Sequence, residues 1–124
     1  MNTPNNICDR IRSANSKIRH VGYYDNFGRI LYDSIRPNTP PMEGTEEMHI
    51  LNGTIASTLN LWEPATPLIG KVQTFIMIRE KLIALAHPNI SPHEKSKYFL
   101  IVFEAGISLS DIGEIRSLLE KELE

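Results

Sequence analysis

Residues 19–35, RHVGYYDNFGRILYDSI, hold two runs of strand-forming side chains joined by Asp25-Asn26-Phe27-Gly28. Val, Ile and Tyr favour a pleated, half-buried surface, and Asn26 and Gly28 tolerate the positive φ that tight turns require. The segment reads as a hairpin with strands over 19–25 and 29–35. An isolated hairpin is marginally stable in water. What precedes and follows it therefore decides what the chain can fold into.

A helix precedes it. Thr3-Pro4 is a capping pair, and Ile7, Ile11, Ala14 and Ile18 repeat at helical spacing, so residues 4–17 are expected to be helical. After the hairpin, Arg36-Pro37-Asn38-Thr39-Pro40-Pro41 is a stiff extended link. A second helix starts at a Thr45 cap, with Glu46 and Glu47 in the first turn and a stripe of Met48, Leu51, Ile55, Leu59 and Trp62. It should end by Glu63, because Pro64 disfavours helix in the residue before it. Glu63 to Gly70, EPATPLIG, reads as a loop.

Three further strands fit residues 71–104: 72–78, 82–86 after a polar turn at 79–81, and 97–103 after a loop over 87–96. These runs are apolar on both alternating faces, so the sheet should be covered on both sides. Ser108 or Ser110 caps a last helix with a stripe of Ile112, Ile115, Leu118, Leu119 and Leu123. The order is α-β-β-α-β-β-β-α. Connections this short make most pairs antiparallel. The expected architecture is an α/β (α+β) sandwich, a five-stranded mainly antiparallel sheet with helices on both faces, in a single domain over residues 1–124.

Charge and composition exclude several classes. A formal net charge of −2 gives no reason to bind nucleic acid or anionic lipid. Apolar content of 41% and charged content of 23% suit a globular domain rather than a disordered chain. No apolar run approaches membrane-spanning length, and the N-terminus lacks the apolar core of a secretory signal. A single cysteine, Cys8, forbids an intramolecular disulfide and fits a reducing cytoplasmic setting. Ile7 and Ile11 beside it mark it as a packing thiol. Residues 1–36 are basic and the last helical segment acidic, two charges that would attract within one molecule or across a dimer.

The element order, together with Val21-Gly22-Tyr23-Tyr24-Asp25-Asn26-Phe27-Gly28-Arg29-Ile30-Leu31, resembles the roadblock (dynein light chain) fold, and more loosely the profilin, longin and sensor-domain folds. The chain is also similar to small proteins of ammonia-oxidising archaea that share this opening. The resemblance implies a non-catalytic module that dimerises through its middle helix and the strand after it, then scaffolds partners such as small GTPases. The proline-rich link and the EPATPLIG loop depart from the family pattern, and both flank the implied dimer surface.

The residues themselves offer little chemistry. G-x-S-x-G, G-x-G-x-x-G, H-E-x-x-H and C-x-x-C are all missing from the sequence. Gly70-Lys71 ends like a phosphate loop, but Ala65 stands where its first glycine belongs. No cofactor or metal is expected, although His87 and His93-Glu94 share a loop, and His20 or His49 would have to complete a zinc site. On the second helix, His49, Gly53, Ala56 and Asn60 form a face of small side chains opposite the apolar stripe. A glycine inside a helix costs about 1 kcal/mol relative to alanine, which a close approach by another backbone would explain. With Phe75 and Met77 on the next strand, this face is the expected dimer and partner surface. The alternative is a small-molecule sensor with a pocket between sheet and helix, for which Tyr23, Tyr32, Trp62 and Arg79 are the candidates. The leading expectation is a cytoplasmic homodimer that binds a protein partner and catalyses nothing.

Overall fold

The computed structural model describes residues 3–38, 45–89, 94 and 96–124. Helix α1, Pro4–Ser13, starts as the sequence implies: the Thr3 hydroxyl accepts the Asn6 N–H at 3.2 Å. It stops short of residue 17, because Asn15 builds a turn. The Asn15 side chain accepts the Lys17 N–H at 2.8 Å, and its carbonyl accepts the Ile18 N–H at 3.1 Å. Ile18 thereby opens a strand instead of closing a helix.

Strands β1 (Ile18–Tyr24) and β2 (Ile30–Ile35) form the hairpin. Helix α2 spans Thr45–Leu61. The EPATPLIG segment is not an irregular loop: a 3₁₀ turn at Glu63–Ala65 runs into a short helix α3, Thr66–Ile69. Pro64 and Pro67 both sit in first-turn positions, where the missing N–H would be unpaired anyway. Strands β3 (Phe75–Ile78), β4 (Leu82–Pro88) and β5 (Tyr98–Glu104) follow, then helix α4, Leu109–Glu122, whose cap is Ser108. Pro40 and Pro41 of the expected link lie outside the described residues.

The five strands form one antiparallel sheet in the order β2-β1-β5-β4-β3, with α1 and α4 on one face and α2 on the other. β5 lies at its centre, and every residue from Tyr98 to Phe103 is buried. Phe99, Ile101 and Phe103 pack under α1 and α4 with Ile7, Ile11, Val21, Leu85, Ile112 and Leu119. Leu100 and Val102 pack under α2 with Ile55, Ala56, Ala84 and Ala86. Two cross-strand aromatic pairs, Tyr23–Phe99 at 4.7 Å and Tyr24–Tyr98 at 5.4 Å, lock β1 to β5 on opposite faces.

Polar ties hold the outer elements. The Asp9 carboxylate on α1 accepts from the Tyr32 hydroxyl at 2.9 Å and the Ser34 hydroxyl at 2.7 Å on β2. Arg10 of α1 grips Glu122 of α4 through two bonds of 2.9 and 2.7 Å. The basic front and acidic tail therefore meet within one molecule.

The hairpin turn is built around Asp25. One carboxylate oxygen accepts the N–H groups of Phe27 and Arg29 at 2.9 and 3.0 Å, and the other accepts from the Arg29 guanidinium at 2.7 Å. Burial works to raise the pKa of Asp25, but these donors outweigh it and hold the carboxyl below its ordinary range. Gly28 adopts φ +82°, and a Cβ there would lie 2.8 Å from the α2 backbone at Asn52. The turn thus docks directly on α2, through a contact only glycine allows.

Two outcomes are expected. Gly28→Ala should cost about 1–3 kcal/mol from strain at positive φ, with the clash against α2 in addition, read as a lower urea midpoint; an unchanged midpoint would refute the docked turn. The hydroxyls of Ser34, first, and Tyr32 hold the Asp9 carboxyl below its reference value of 3.8. Its stabilising contribution is therefore complete above 3.8 and lost as pH falls below that value. Stability plotted against pH should drop less steeply on the acid side in Asp9→Asn than in the parent chain, and equal slopes would count against the linkage.

Candidate interaction surface

From Ile50 to Leu61, α2 carries no charged residue. Its inner side is Asn52, Ile55 and Ala56, with Leu51 and Leu59 half-buried beside them. These rest on Ala84 and Ala86 of β4 and on Leu100 and Val102 of β5. The two strand alanines leave depth for the helix to settle close to the sheet.

The outer side holds Ile50 and Leu61, 65% and 74% exposed, with Thr54 and Ser57 between them. Thr54 and Thr58 turn their hydroxyls back onto the carbonyls of Ile50 and Thr54, at 2.8 and 2.9 Å. Hydroxyls used in this way no longer offer a donor to solvent, so the face is less polar than its sequence suggests. Phe27 on the docked hairpin turn, 71% exposed, stands beside it. Phe27, Ile50, Gly53, Thr54, Ser57, Thr58 and Leu61 together line one open depression. Past the C-terminus of α2, Trp62, Leu68 and Ile69 add exposed apolar surface. β3 is the last strand of the sheet on this side, and no described strand pairs with its outer edge.

The residues expected on the dimer face do not all lie on one side of α2 and β3. Gly53 is half-buried on the shoulder of the outer face, and nothing lies within 4 Å of where its Cβ would be. Asn60 is exposed, and its amide donates to the Asn26 carbonyl at 3.1 Å, pinning the hairpin turn. Ala56 is a correction: it is 3% exposed and faces the sheet, because its small side chain permits close packing inward. Phe75 and Met77 also turn inward onto the core under α2, while Ile76 and Ile78 are the exposed residues of β3. The His49 side chain lies outside the described residues. Phe27, Ile50 and Leu61 were missed. The helical stripe 50-54-57-61 is visible in the sequence but competes with an equally good inner stripe.

The expected sensor pocket does not form from its four candidates. Tyr23 and Tyr32 are cross-strand partners under α1, where Tyr23 binds Asn89 and Glu94 and Tyr32 binds Asp9. Trp62 is an exposed residue at the end of α2, on the other side of the sheet. Arg79 is exposed in the β3–β4 turn, at the far edge from β2. A common cavity would need side chains that the sheet itself separates.

His93 lies outside the described residues. Thr74 and His87 share a hydrogen bond of 3.0 Å between hydroxyl and Nδ1, and Arg116 donates to the same hydroxyl at 2.8 Å. Burial, opposed by Glu120, lowers the pKa of His87. Among the described residues no group of three His, Cys, Asp or Glu side chains is placed to hold a metal. Burial, aided by Asp9, pushes the Cys8 thiol up to about 12, which keeps it protonated and inert. No helix among the described residues is long and apolar enough to cross a membrane.

No protein-family profile matches the sequence, and no curated protein is significantly similar to it. Solved structures are similar in three dimensions. The gliding protein MglB of Thermus thermophilus superposes with a TM-score of 0.72 at 13% identity, over 94% of this chain and 82% of that one. A Roadblock/LC7 domain from Streptomyces avermitilis gives 0.69 at 6% identity, over 98% and 95%. MglB of Myxococcus xanthus gives 0.67 at 16% identity, over 96% and 87%. With a docked Asp-x-x-Gly hairpin, a β2-β1-β5-β4-β3 sheet and helices on both of its faces, this chain has the roadblock fold.

Proposed function

We propose that this chain is a non-catalytic regulatory or scaffold domain that forms a homodimer through the outer face of α2 and the adjoining β3 edge. The dimer then binds a protein partner of small-GTPase or signalling type, in cytoplasmic regulation. One observation carries the reading: from Ile50 to Leu61, α2 carries no charge, and its solvent side presents Ile50 and Leu61, extended by Phe27. Interface cores are depleted of charge and enriched in aromatic side chains such as Phe27, and exposed apolar patches mark binding surfaces. Gly53 adds a place where a second backbone would approach closely, since its Cβ position is open. Assembly is also seen in a fold relative: one solved MglB, with a TM-score of 0.72 at 14% identity, has a tetrameric arrangement. The partner class rests on the resemblance to roadblock domains.

A stable dimer needs about 800 Å² from each copy. The outer face of α2 together with Phe27, Trp62 and the β3 edge offers a contiguous candidate for that surface.

Light scattering on the purified chain should give twice the monomer mass, and Ile50→Glu should give the monomer mass with cooperative unfolding retained. Gly53→Leu should also weaken the dimer. Gly53→Ala, which fills open space within a helix, should raise the stability of the fold by about 0.5–1 kcal/mol. A parent chain of monomer mass, or an Ile50→Glu variant that stays dimeric, would show that this face is not the interface.

A further inference from the structure

Four polar side chains follow one another where the first hairpin passes beneath α2: His20 beside Asp33, Asp33 near Tyr24, and Tyr24 near Asn52. His20 and Tyr24 come from β1, Asp33 from β2 and Asn52 from the inner side of α2. The ladder places them. Asp33 lies directly across from Gly22, and His20, Gly22 and Tyr24 share the α2 face of β1. The Tyr24 ring folds over Gly22 so closely that a Cβ there would sit 2.5 Å from the Tyr24 hydroxyl. Asn52 is fully buried and His20 is 7% exposed.

None of these side chains satisfies another. His20 Nε2 and Asp33 Oδ1 stand 4.0 Å apart, beyond hydrogen-bond range. Asn52 is close enough to act on the Tyr24 hydroxyl without bonding to it in good geometry. Among the described residues, five buried atoms remain without a hydrogen-bond partner: His20 Nε2, Tyr24 Oη, Asp33 Oδ1 and both Asn52 side-chain atoms. An unpaired buried polar atom is costly, so five on neighbouring side chains call for a bridging group. The set mixes a donor in Asn52 Nδ2, acceptors in Asn52 Oδ1 and Asp33 Oδ1, and two groups able to do either. Water makes two to four such bonds and fits that mixture, where a cation would leave the amide N–H unanswered and an anion would leave the acceptor oxygens unanswered.

We propose that His20, Tyr24, Asp33 and Asn52 form a buried hydration site whose bridging water joins α2 to the hairpin, and that proton uptake at His20 loosens this join. The surroundings set the direction. The charged groups that act on His20 are Asp33 of β2 and Arg19 of β1; α2 carries no charged residue from Ile50 to Leu61, and β5 presents Val102. Burial lowers the His20 pKa below its reference of 6.5, with Asp33 opposing and Arg19 assisting. Neutral His20 therefore contributes its full stability above 6.5, and that contribution is lost as pH falls below it. Asp33 runs the other way: burial raises its pKa, with His20 opposing, so its contribution is largest below 3.8 and fades as pH rises through the raised value. Mild acid thus acts through His20, and its effect falls on the helix proposed above as the dimer face. In this respect alone the inference rests on that reading.

The test uses the Ile50→Glu variant beside the parent chain, so that the response of α2 is read with or without a dimer. Amide exchange across residues 50–61, corrected for intrinsic rate, should lose protection between about pH 7.5 and about pH 5.5, more than β4 and β5 do. His20→Gln should abolish the difference. Nitrogen-15 spectra of the imidazole should show His20 titrating below 6.5, and lower still in Asp33→Asn, a measurement that stands if His20→Gln does not fold. A high-resolution crystal structure should show one water bonded to at least three of the four side chains. An unchanged response in His20→Gln, a midpoint at or above the reference value, or a dry site with direct bonds would overturn the proposal. Failure of the dimer alone would leave every one of these measurements intact.

Discussion

The burial of β5 on both faces is the constraint on which the other elements depend. A strand whose side chains alternate between two dry layers needs a partner sheet edge on each side and a helix over each face. β1 and β4 supply the edges, and the helices supply the cover. Fully burying one large apolar side chain contributes about 1.5–3 kcal/mol, and Phe99, Leu100, Ile101, Val102 and Phe103 are all fully buried in succession. With β5 so fixed, register in β1 follows from the two aromatic pairs, and the hairpin turn is carried to the end of the sheet where α2 lies.

That placement explains why Asp-x-x-Gly carries more weight here than in a free hairpin. Asp25 shapes the turn locally, but Gly28 is required by contact with another element, the backbone of α2 at Asn52 and Gly53. The Asn60 amide then grips the Asn26 carbonyl from the same helix. The hairpin and α2 act as one unit with a mixed contact surface, tight at the turn and polar under His20, Tyr24, Asp33 and Asn52.

Much of the fold was legible from residue pattern. The α1 cap, both hairpin strands, the apolar β4 and β5 runs and the Ser108 cap all appear in the sequence because local chemistry sets them. The candidate surface was less legible. Ala56 looked like part of a small outer face, yet it is an inner contact, because Asn52, Ile55 and Ala56 rather than Trp62 mark the buried side of the helix. A helix with weakly polar residues all round gives no strong periodic signal. Its rotation is then chosen by what it meets, here the shallow floor made by Ala84 and Ala86.

The sequence by itself determined the order of the five strands and of the three longer helices, since capping, period and turn chemistry act over a few residues, but not the short helical turns of residues 63–69. It also determined that a sheet buried on both faces was needed, since β4 and β5 have no polar side to offer water. Only the tertiary structure decided which side of α2 faces out, that Tyr23 and Tyr32 are separated from Trp62 and Arg79, and that four polar groups from three elements follow one another beneath α2. Those facts depend on long-range register and helix rotation, which are set by packing between segments far apart in the chain.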